Sequence, residues 1–176
     1  MMLQAAALSQ EKSLMSIVET ELIRSFEELS PKDVYWIGLG ISDVHTVKIQ
    51  ANNGALFTSR KGHYRNADID LRIGTPQLDN THPLRDAGWL NEPTHFYTSL
   101  PLENSPKPIQ IALWKEMDEA FQSSKRRLVK IQANNIVKVD MEDQSDDFKL
   151  LEEDVSPNTH SSQIKKFEID EVFWKE

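Results

Sequence analysis

Three features of this sequence predict an α+β fold. In this fold, two long helices cover one face of an antiparallel meander of four or five strands. Apolar residues recur at three- and four-residue spacing before and after the middle of the chain, as they do on amphipathic helices. Between these stretches, short runs alternate apolar and polar residues, as half-buried strands do. Short polar turns join the runs, which favours antiparallel pairing because parallel strands need long crossovers. The expected architecture is a two-layer sandwich.

The first helix is predicted over residues 10–29, with Ser9 or Ser13 as its N-cap. It ends before Pro31, because a proline pushes the preceding residue out of the α region. A second amphipathic helix is predicted over residues 107–133. These two helices supply the layer that covers the sheet.

Strands are predicted at residues 34–41, 46–51, 56–59 and 64–73, with a fifth near residues 95–100. Turns are expected at Asp43, at Asn53-Gly54 and at residues 60–62. Asn and Gly accept the positive φ angles of a type I′ hairpin turn, and a β-bulge at the same place is the alternative. Side chains alternate between the two faces of a strand. Tyr35, Ile37, Leu39 and Ile41 can therefore share one face of the first strand, and the two helices are expected to cover the apolar face of the sheet.

The strand at 64–73 is expected to place Asp68, Asp70 and Arg72 on its polar face. Two carboxylates two residues apart suggest an acid–base pair. A solvated face is the simpler interpretation, with Lys48 as a cross-strand neighbour.

The chain is predicted to contain one α+β domain, residues 1–134, and a tail. Residues 135–166 are acidic and are expected to form a flexible linker. Residues 167–176 are an apolar segment expected to dock on the domain's own edge, on another subunit or on a further domain. The apolar residues expected to make this contact are Phe167, Phe173 and Trp174.

Composition excludes several classes of function. The chain of 176 residues has no cysteine, which excludes a disulfide scaffold, a thiolate zinc site and cysteine catalysis. A formal net charge of -8 argues against nucleic acid as a partner. The basic run Lys125-Arg126-Arg127 is interpreted as a solvated helix end rather than a nucleic-acid contact. The chain has no export signal or membrane-spanning run, which favours a cytoplasmic location unless a signal peptide was removed before Met1.

Asp79 and His82, together with His63 or His95, could form a hard-ligand metal site. The favoured alternative is a turn in which the side chains of Asp79-Asn80-Thr81 bond to nearby backbone groups, because no H-E-x-x-H spacing is present. On the second helix, Trp114 and Phe121 are interpreted as core residues rather than as a ligand platform.

Several short motifs occur together in one order across residues 12–133. They are Arg24-Ser25, Ala51 to Leu56 (ANNGAL), Asp68 to Gly74 (DIDLRIG), Leu78 to His82 (LDNTH), Leu100 to Glu103 (LPLE) and Ala112 to Trp114 (ALW). In these motifs the chain resembles the N-terminal domain of the TldD/PmbA family, metalloprotease-related proteins also called modulators of DNA gyrase.

The resemblance implies a non-catalytic N-terminal domain, either a fragment or a truncated form, that acts in protein–protein assembly. In the family this domain packs against a protease-like domain and helps to form a dimer whose cavity admits unfolded peptide. Asp68, Asp70 and Arg72 would then line the peptide or partner surface, together with Phe167, Phe173 and Trp174.

Catalytic relatives carry H-E-x-x-x-H in a later domain, and none of the five histidines here precedes a glutamate. The resemblance therefore implies that zinc belongs to another domain, and it assigns no catalytic residue or cofactor to this chain. A free-standing adaptor or inhibitor domain is one alternative. A small metal-dependent hydrolase that uses Asp79 and His82 is the other.

Overall fold

The computed structural model describes residues 13–83, 93–137 and 146–149. The elements of the described chain are α1 (Leu14–Leu29), β1 (Val34–Asn52), β2 (Ala55–Thr75), β3 (Leu78–Asp79), β4 (His95–Leu100) and α2 (Pro106–Val137). The four strands form an antiparallel sheet that packs against the two helices. The predicted α+β two-layer fold is confirmed.

Helix α1 begins at the second of the two predicted caps. The side-chain oxygen of Ser13 accepts a hydrogen bond from the backbone N–H of Ser16 at 3.2 Å, which satisfies one of the free amides of the first turn. Ser9 lies outside the described residues. The helix ends at Leu29, as predicted, and a single 3₁₀ turn leads into the sheet.

β1 and β2 form one long hairpin where four short strands were predicted. Asp43 pairs with Arg65, and Val47 pairs with Lys61, so the turns predicted at Asp43 and at residues 60–62 are wrong. The polar residues there lie on a part of the hairpin that neither described helix covers. Both faces tolerate polar side chains at this place, and polarity therefore does not mark a turn.

The hairpin turn itself is confirmed at Asn53-Gly54. The φ angles are 50° at Asn53 and 76° at Gly54, both in the left-handed region that a type I′ turn requires.

β2 is the central strand of the sheet. β1 pairs along one edge of it, while β3 pairs with residues 74–75 and β4 with residues 65–70 along the other. β3 and β4 therefore lie one after the other along the same edge of β2. β1, β2 and β3 follow one another in chain order, as in a meander, and the strand predicted near residues 95–100 is in place.

The core lies between the helices and the inner half of the hairpin. On β2 the alternation is complete, since Ala67, Ile69, Leu71 and Ile73 are buried while their neighbours are not. The other elements contribute Val34, Ile37, Phe96, Leu100, Ile17, Val18, Leu29, Ile109, Leu113, Met117, Ala120, Phe121 and Leu128.

One of the two aromatic residues predicted to be core on α2 is not. Phe121 is buried as expected, but Trp114 is 50% exposed. The inward positions on this part of the helix are taken by Leu113 and Met117, which are both fully buried. Trp114 is one residue from Leu113 and so lies about 100° around the helix from it.

A β-bulge at the start of β1 redirects Tyr35. Val34 pairs with Ile73 and Trp36 pairs with Arg72, so Tyr35 is the extra residue, and bulges of this kind re-aim a side chain. The hydroxyl of Tyr35 reaches Asp79 instead of the core. The prediction that Tyr35 shares a face with Ile37, Leu39 and Ile41 is therefore wrong.

The outer half of the hairpin projects beyond the helices. From Ala55 to Tyr64 every residue is exposed except the half-buried Thr58, and β4 pairs with β2 only as far as Arg65. We call residues 44–64 the arm, and the remaining part of the sheet the covered half.

Candidate functional site

The sheet face opposite the helices, here called the outer face, carries the predicted partner surface. Asp68 lies opposite Gly40, and Asp70 lies opposite Gly38. Because glycine has no side chain, both carboxylates lie beside bare backbone. A Cβ atom added at Gly38 would come within 3.6 Å of Asp70 Cβ. The two glycines therefore keep this part of the outer face open.

The charges of the outer face are only partly paired. Arg72 Nε lies 3.3 Å from Asp70 Oδ2. The Oδ1 atoms of Asp68 and Asp70 are both buried and have no hydrogen-bond partner among the described residues. Lys48 is not their neighbour, contrary to the prediction, because the long hairpin places it in the arm opposite Arg60. The outer face is therefore more acidic than predicted.

Asp79 is a fully buried acceptor at the end of the outer face. Its Oδ2 accepts a hydrogen bond from the Tyr35 hydroxyl at 2.5 Å and from Arg72 at 3.1 Å. Its Oδ1 accepts from the backbone N–H and the hydroxyl of Thr81, both at 2.6 Å. Burial raises the pKa of Tyr35, and the hydrogen bond to Asp79 raises it further. The bond from the Thr81 backbone is of the kind that the turn interpretation of residues 79–81 expects, whereas the bonds from Tyr35 and Arg72 come from other parts of the sheet.

Asn80 joins the sheet to α2. Its Oδ1 accepts from the backbone N–H of Ile73 at 2.7 Å, and its Nδ2 donates to the carbonyl of Leu71 at 3.0 Å and to Ser124 Oγ at 3.1 Å. Asn80 is itself completely buried. A buried amide with this many partners holds the loop against both layers.

Arg127 contributes to the same junction. It is buried and donates to the backbone carbonyls of Asn80 and His82. The prediction that Lys125-Arg126-Arg127 is a solvated helix end is wrong for Arg127, because α2 continues to Val137 and this residue lies within the helix.

His82 binds a segment that is distant in sequence. Its Nδ1 lies 2.8 Å from Asp147 Oδ1, and Asp147 Oδ2 accepts a hydrogen bond from the backbone N–H of Asp79 at 2.8 Å. The side chain of Asp147 is only 8% exposed. The described part of the segment predicted as an acidic linker, residues 146–149, thus lies against the domain.

Phe148 lies beside Asp147 on the outer face. Its ring centroid is 5.2 Å from that of Trp36 and 6.0 Å from that of Tyr35. The guanidinium carbon of Arg72 lies 4.5 Å from the same centroid. Sequence reasoning missed this contact, and the available signal was a single aromatic residue within a strongly acidic run.

The structure separates the residues predicted to bind a metal. Asp79 and His82 lie at the inner end of the outer face, whereas His63 is in the arm, where its Nε2 is 2.6 Å from Asp43 Oδ1. His95 Nδ1 is instead 3.9 Å from Asp68 Oδ1. The predicted set therefore does not come together.

A different group in the described chain has the composition of a metal site. Ligand atoms of Asp43, His45 and His63 all lie within 4.8 Å of one another, on an exposed surface. Arg65 competes for this group, since it donates to Asp43 Oδ2 at 2.9 and 2.7 Å. The hydrogen bond from Arg65 is the main cause that lowers the pKa of Asp43, and the hydrogen bond from His63 lowers it further.

The apolar terminal residues Phe167, Phe173 and Trp174 lie outside the described residues. In the described ranges, neither helix contains a stretch that is both long and apolar enough to cross a membrane.

The fold and the outer face thus define an α+β domain with an exposed arm. No protein-family model matches this chain, and neither the curated proteins nor the solved structures include a significant match. The TldD/PmbA resemblance therefore remains a prediction that depends on the motifs themselves.

Proposed function

We propose that this chain is a non-catalytic N-terminal domain of a TldD/PmbA-like, metalloprotease-related protein and that it acts in protein–protein assembly. The order of its motifs supports the family assignment. The observation on which the assembly role depends is the arm, a two-stranded ribbon that the rest of the described chain does not cover. Zinc and catalytic residues are expected in another domain rather than here.

The arm exposes apolar side chains that a partner would bury. Leu56 is 46% exposed and Phe57 is 79% exposed. Gln50 pairs with Thr58 and Ala51 pairs with Leu56, so Phe57 is the extra residue of a β-bulge, which re-aims its side chain. An isolated two-stranded hairpin is marginally stable in water, so a partner that packs on the arm would stabilise it.

The arm also has free strand edges. Among the described residues, β1 pairs only with β2. In the same part of the chain, residues 55–64 of β2 pair with β1 alone, because β4 pairs only with residues 65–70. Such edges present unpaired backbone N–H and C=O groups, to which an extended peptide can add as a further strand. This feature supports peptide capture and the formation of a dimer through the same region.

The hydrolase alternative is less well supported. Both oxygens of Asp79 already accept hydrogen bonds from Tyr35, Arg72 and Thr81, and its neighbour Asn80 joins sheet and helix. The contacts around Asp79 and His82 favour a structural role for this loop.

The proposal is tested with a double variant of the full chain, Leu56→Ser with Phe57→Ser. The matched control is Ile111→Ser with Val129→Ser, because these α2 residues are 64% and 58% exposed and lie away from the arm. The first probe is a second copy of the chain, and its association is measured by analytical ultracentrifugation. The second probe is a different protein, one that contains cysteine and that has been reduced and carboxymethylated so that it cannot refold.

The arm variant is expected to weaken association at least about tenfold, because truncating central apolar contacts of an interface costs about 1–2 kcal/mol or more. The control is expected to associate like the wild-type chain. Equal association by all three proteins, or no association of the wild-type chain with either probe at about 100 μM, would contradict the proposal.

A further inference from the structure

Residues 146–149, here called the strap, bind the outer face through backbone and side-chain contacts together. The backbone N–H of Phe148 donates to the carbonyl of Pro76 at 2.9 Å. Asp147 is held at one oxygen by the backbone N–H of Asp79 and at the other by His82. These partners are 68 and 65 residues away in sequence, so the strap is not a local turn.

The acidic residue and the aromatic residue of the strap contact different groups on the outer face. The acid faces two nitrogen groups, the amide of Asp79 and the imidazole of His82. The aromatic ring lies instead between the guanidinium of Arg72 and the indole of Trp36. A guanidinium over a ring face and tilted aromatic pairs are both attractive arrangements.

Contacts within the folded domain hold several groups of this surface. The bulge of β1 brings Tyr35 beside Trp36, and Tyr35 is also fixed by its hydrogen bond to Asp79. Asp79 and Asp70 together hold Arg72. Arg127 holds the backbone carbonyl of His82. Tyr35, Arg72 and the His82 backbone are therefore held by the domain itself.

We propose that the outer face around Trp36, Arg72 and His82 is a recognition site for a peptide in which an acidic residue is followed by an aromatic residue, and that the strap occupies this site as an intramolecular ligand. The inference goes beyond the proposed assembly role, because it adds a second interaction site. It uses the covered half of the sheet and not the arm.

An intramolecular ligand competes with any peptide in trans. A tethered segment has an effective concentration on the order of millimolar, so the wild-type chain should bind a free peptide weakly. Replacing the two contact residues of the strap should open the site. If the strap were instead only a fixed part of the fold, its removal would not create a binding site.

The experiment uses the full chain with Asp147→Ala and Phe148→Ala, and the probe is a synthetic peptide with the sequence of residues 144–151 (QSDDFKLL). A second peptide carries alanine at the positions of Asp147 and Phe148. Binding is measured by isothermal titration calorimetry. The control variant of the chain is Asp146→Ala, since Asp146 is exposed.

The strap variant is expected to bind the first peptide at least about tenfold more tightly than the wild-type chain or the Asp146→Ala chain does. It should bind the alanine peptide at least about tenfold more weakly than the first peptide. A folded strap variant that binds neither peptide, or that binds both equally, would overturn the proposal.

A second measurement on the wild-type chain covers the case in which the strap variant does not fold. The amide of Phe148 is protected by its bond to Pro76. Excess peptide should displace the strap and accelerate hydrogen exchange at this amide, while the alanine peptide should not. An exchange rate that is independent of peptide concentration would overturn the proposal. The double variant of the arm, Leu56→Ser with Phe57→Ser, should leave the peptide affinity and the exchange rate unchanged. A failure of the strap proposal is therefore distinguishable from a failure of the assembly role.

Discussion

The arm and the covered half belong to the same hairpin but differ in what surrounds them. In the covered half, Ile69 and Leu71 are completely buried under the helices. In the arm, Val47 and Ile49 alternate with polar residues in the same way, yet they are only half-buried. Period-2 alternation therefore predicts strand pairing in both regions, while burial depends on whether another layer lies above the strand.

The largest expected difference between the regions is in the free energy of unfolding when a leucine is truncated in each of them. Leu71→Ala should lower the free energy of unfolding by about 3 kcal/mol, because it leaves a cavity in the core. Leu56→Ala in the arm should change it by less than about 0.5 kcal/mol. Urea denaturation of both variants measures the contrast. Similar losses in the two variants would show that the arm is covered in solution.

The junction between sheet and α2 should be nearly as sensitive. Asn80→Ala removes partners from the Ile73 amide and the Leu71 carbonyl, so we expect a loss of about 2–3 kcal/mol. The exposed Asn52→Ala in the arm is the matched control, with less than about 0.5 kcal/mol expected. A loss below about 1 kcal/mol at Asn80 would mean that water replaces these bonds.

Strain in the arm turn should have a smaller and more local effect. Gly54 has a φ of 76°, and no atom lies within 4 Å of a Cβ added there. Gly54→Ala should therefore cost about 1 kcal/mol through backbone conformation alone. Hydrogen exchange should accelerate in residues 44–64, while the urea midpoint of the covered half stays unchanged. An equal fall in global stability would show that the two halves unfold together.

The smallest expected effect is a pH dependence in the covered half. The pKa of Tyr35 is raised by burial and by its bond to Asp79, so the folded state holds this proton more tightly than the unfolded state. The stabilisation is complete below the unfolded pKa of about 10 and is lost as pH rises above it. Urea denaturation between about pH 8 and pH 11 should show this decline.

Tyr35→Phe is the control for that pH dependence. It keeps the ring beside Phe148 and removes the titrating hydroxyl, so the decline above about pH 10 should become shallower. An unchanged slope would assign the alkaline dependence to other groups.

The sequence alone determined the local structure wherever one physical rule dominated. The end of α1 at Leu29 followed from Pro31, and the arm turn followed from Asn53-Gly54. The apolar face of residues 67–73 followed from strict alternation. These features depend on dihedral preferences and periodicity, which neighbouring residues are enough to specify.

The tertiary structure alone decided which polar residues are buried and which apolar residues are exposed. Asp79, Asn80 and Arg127 are buried because they find hydrogen-bond partners on other elements, and Asp147 reaches His82 across a separation of 65 residues. Phe57 remains exposed because neither of the two described helices extends over the arm. Such partners are brought together by packing between layers, and spacing along the chain does not encode that packing directly.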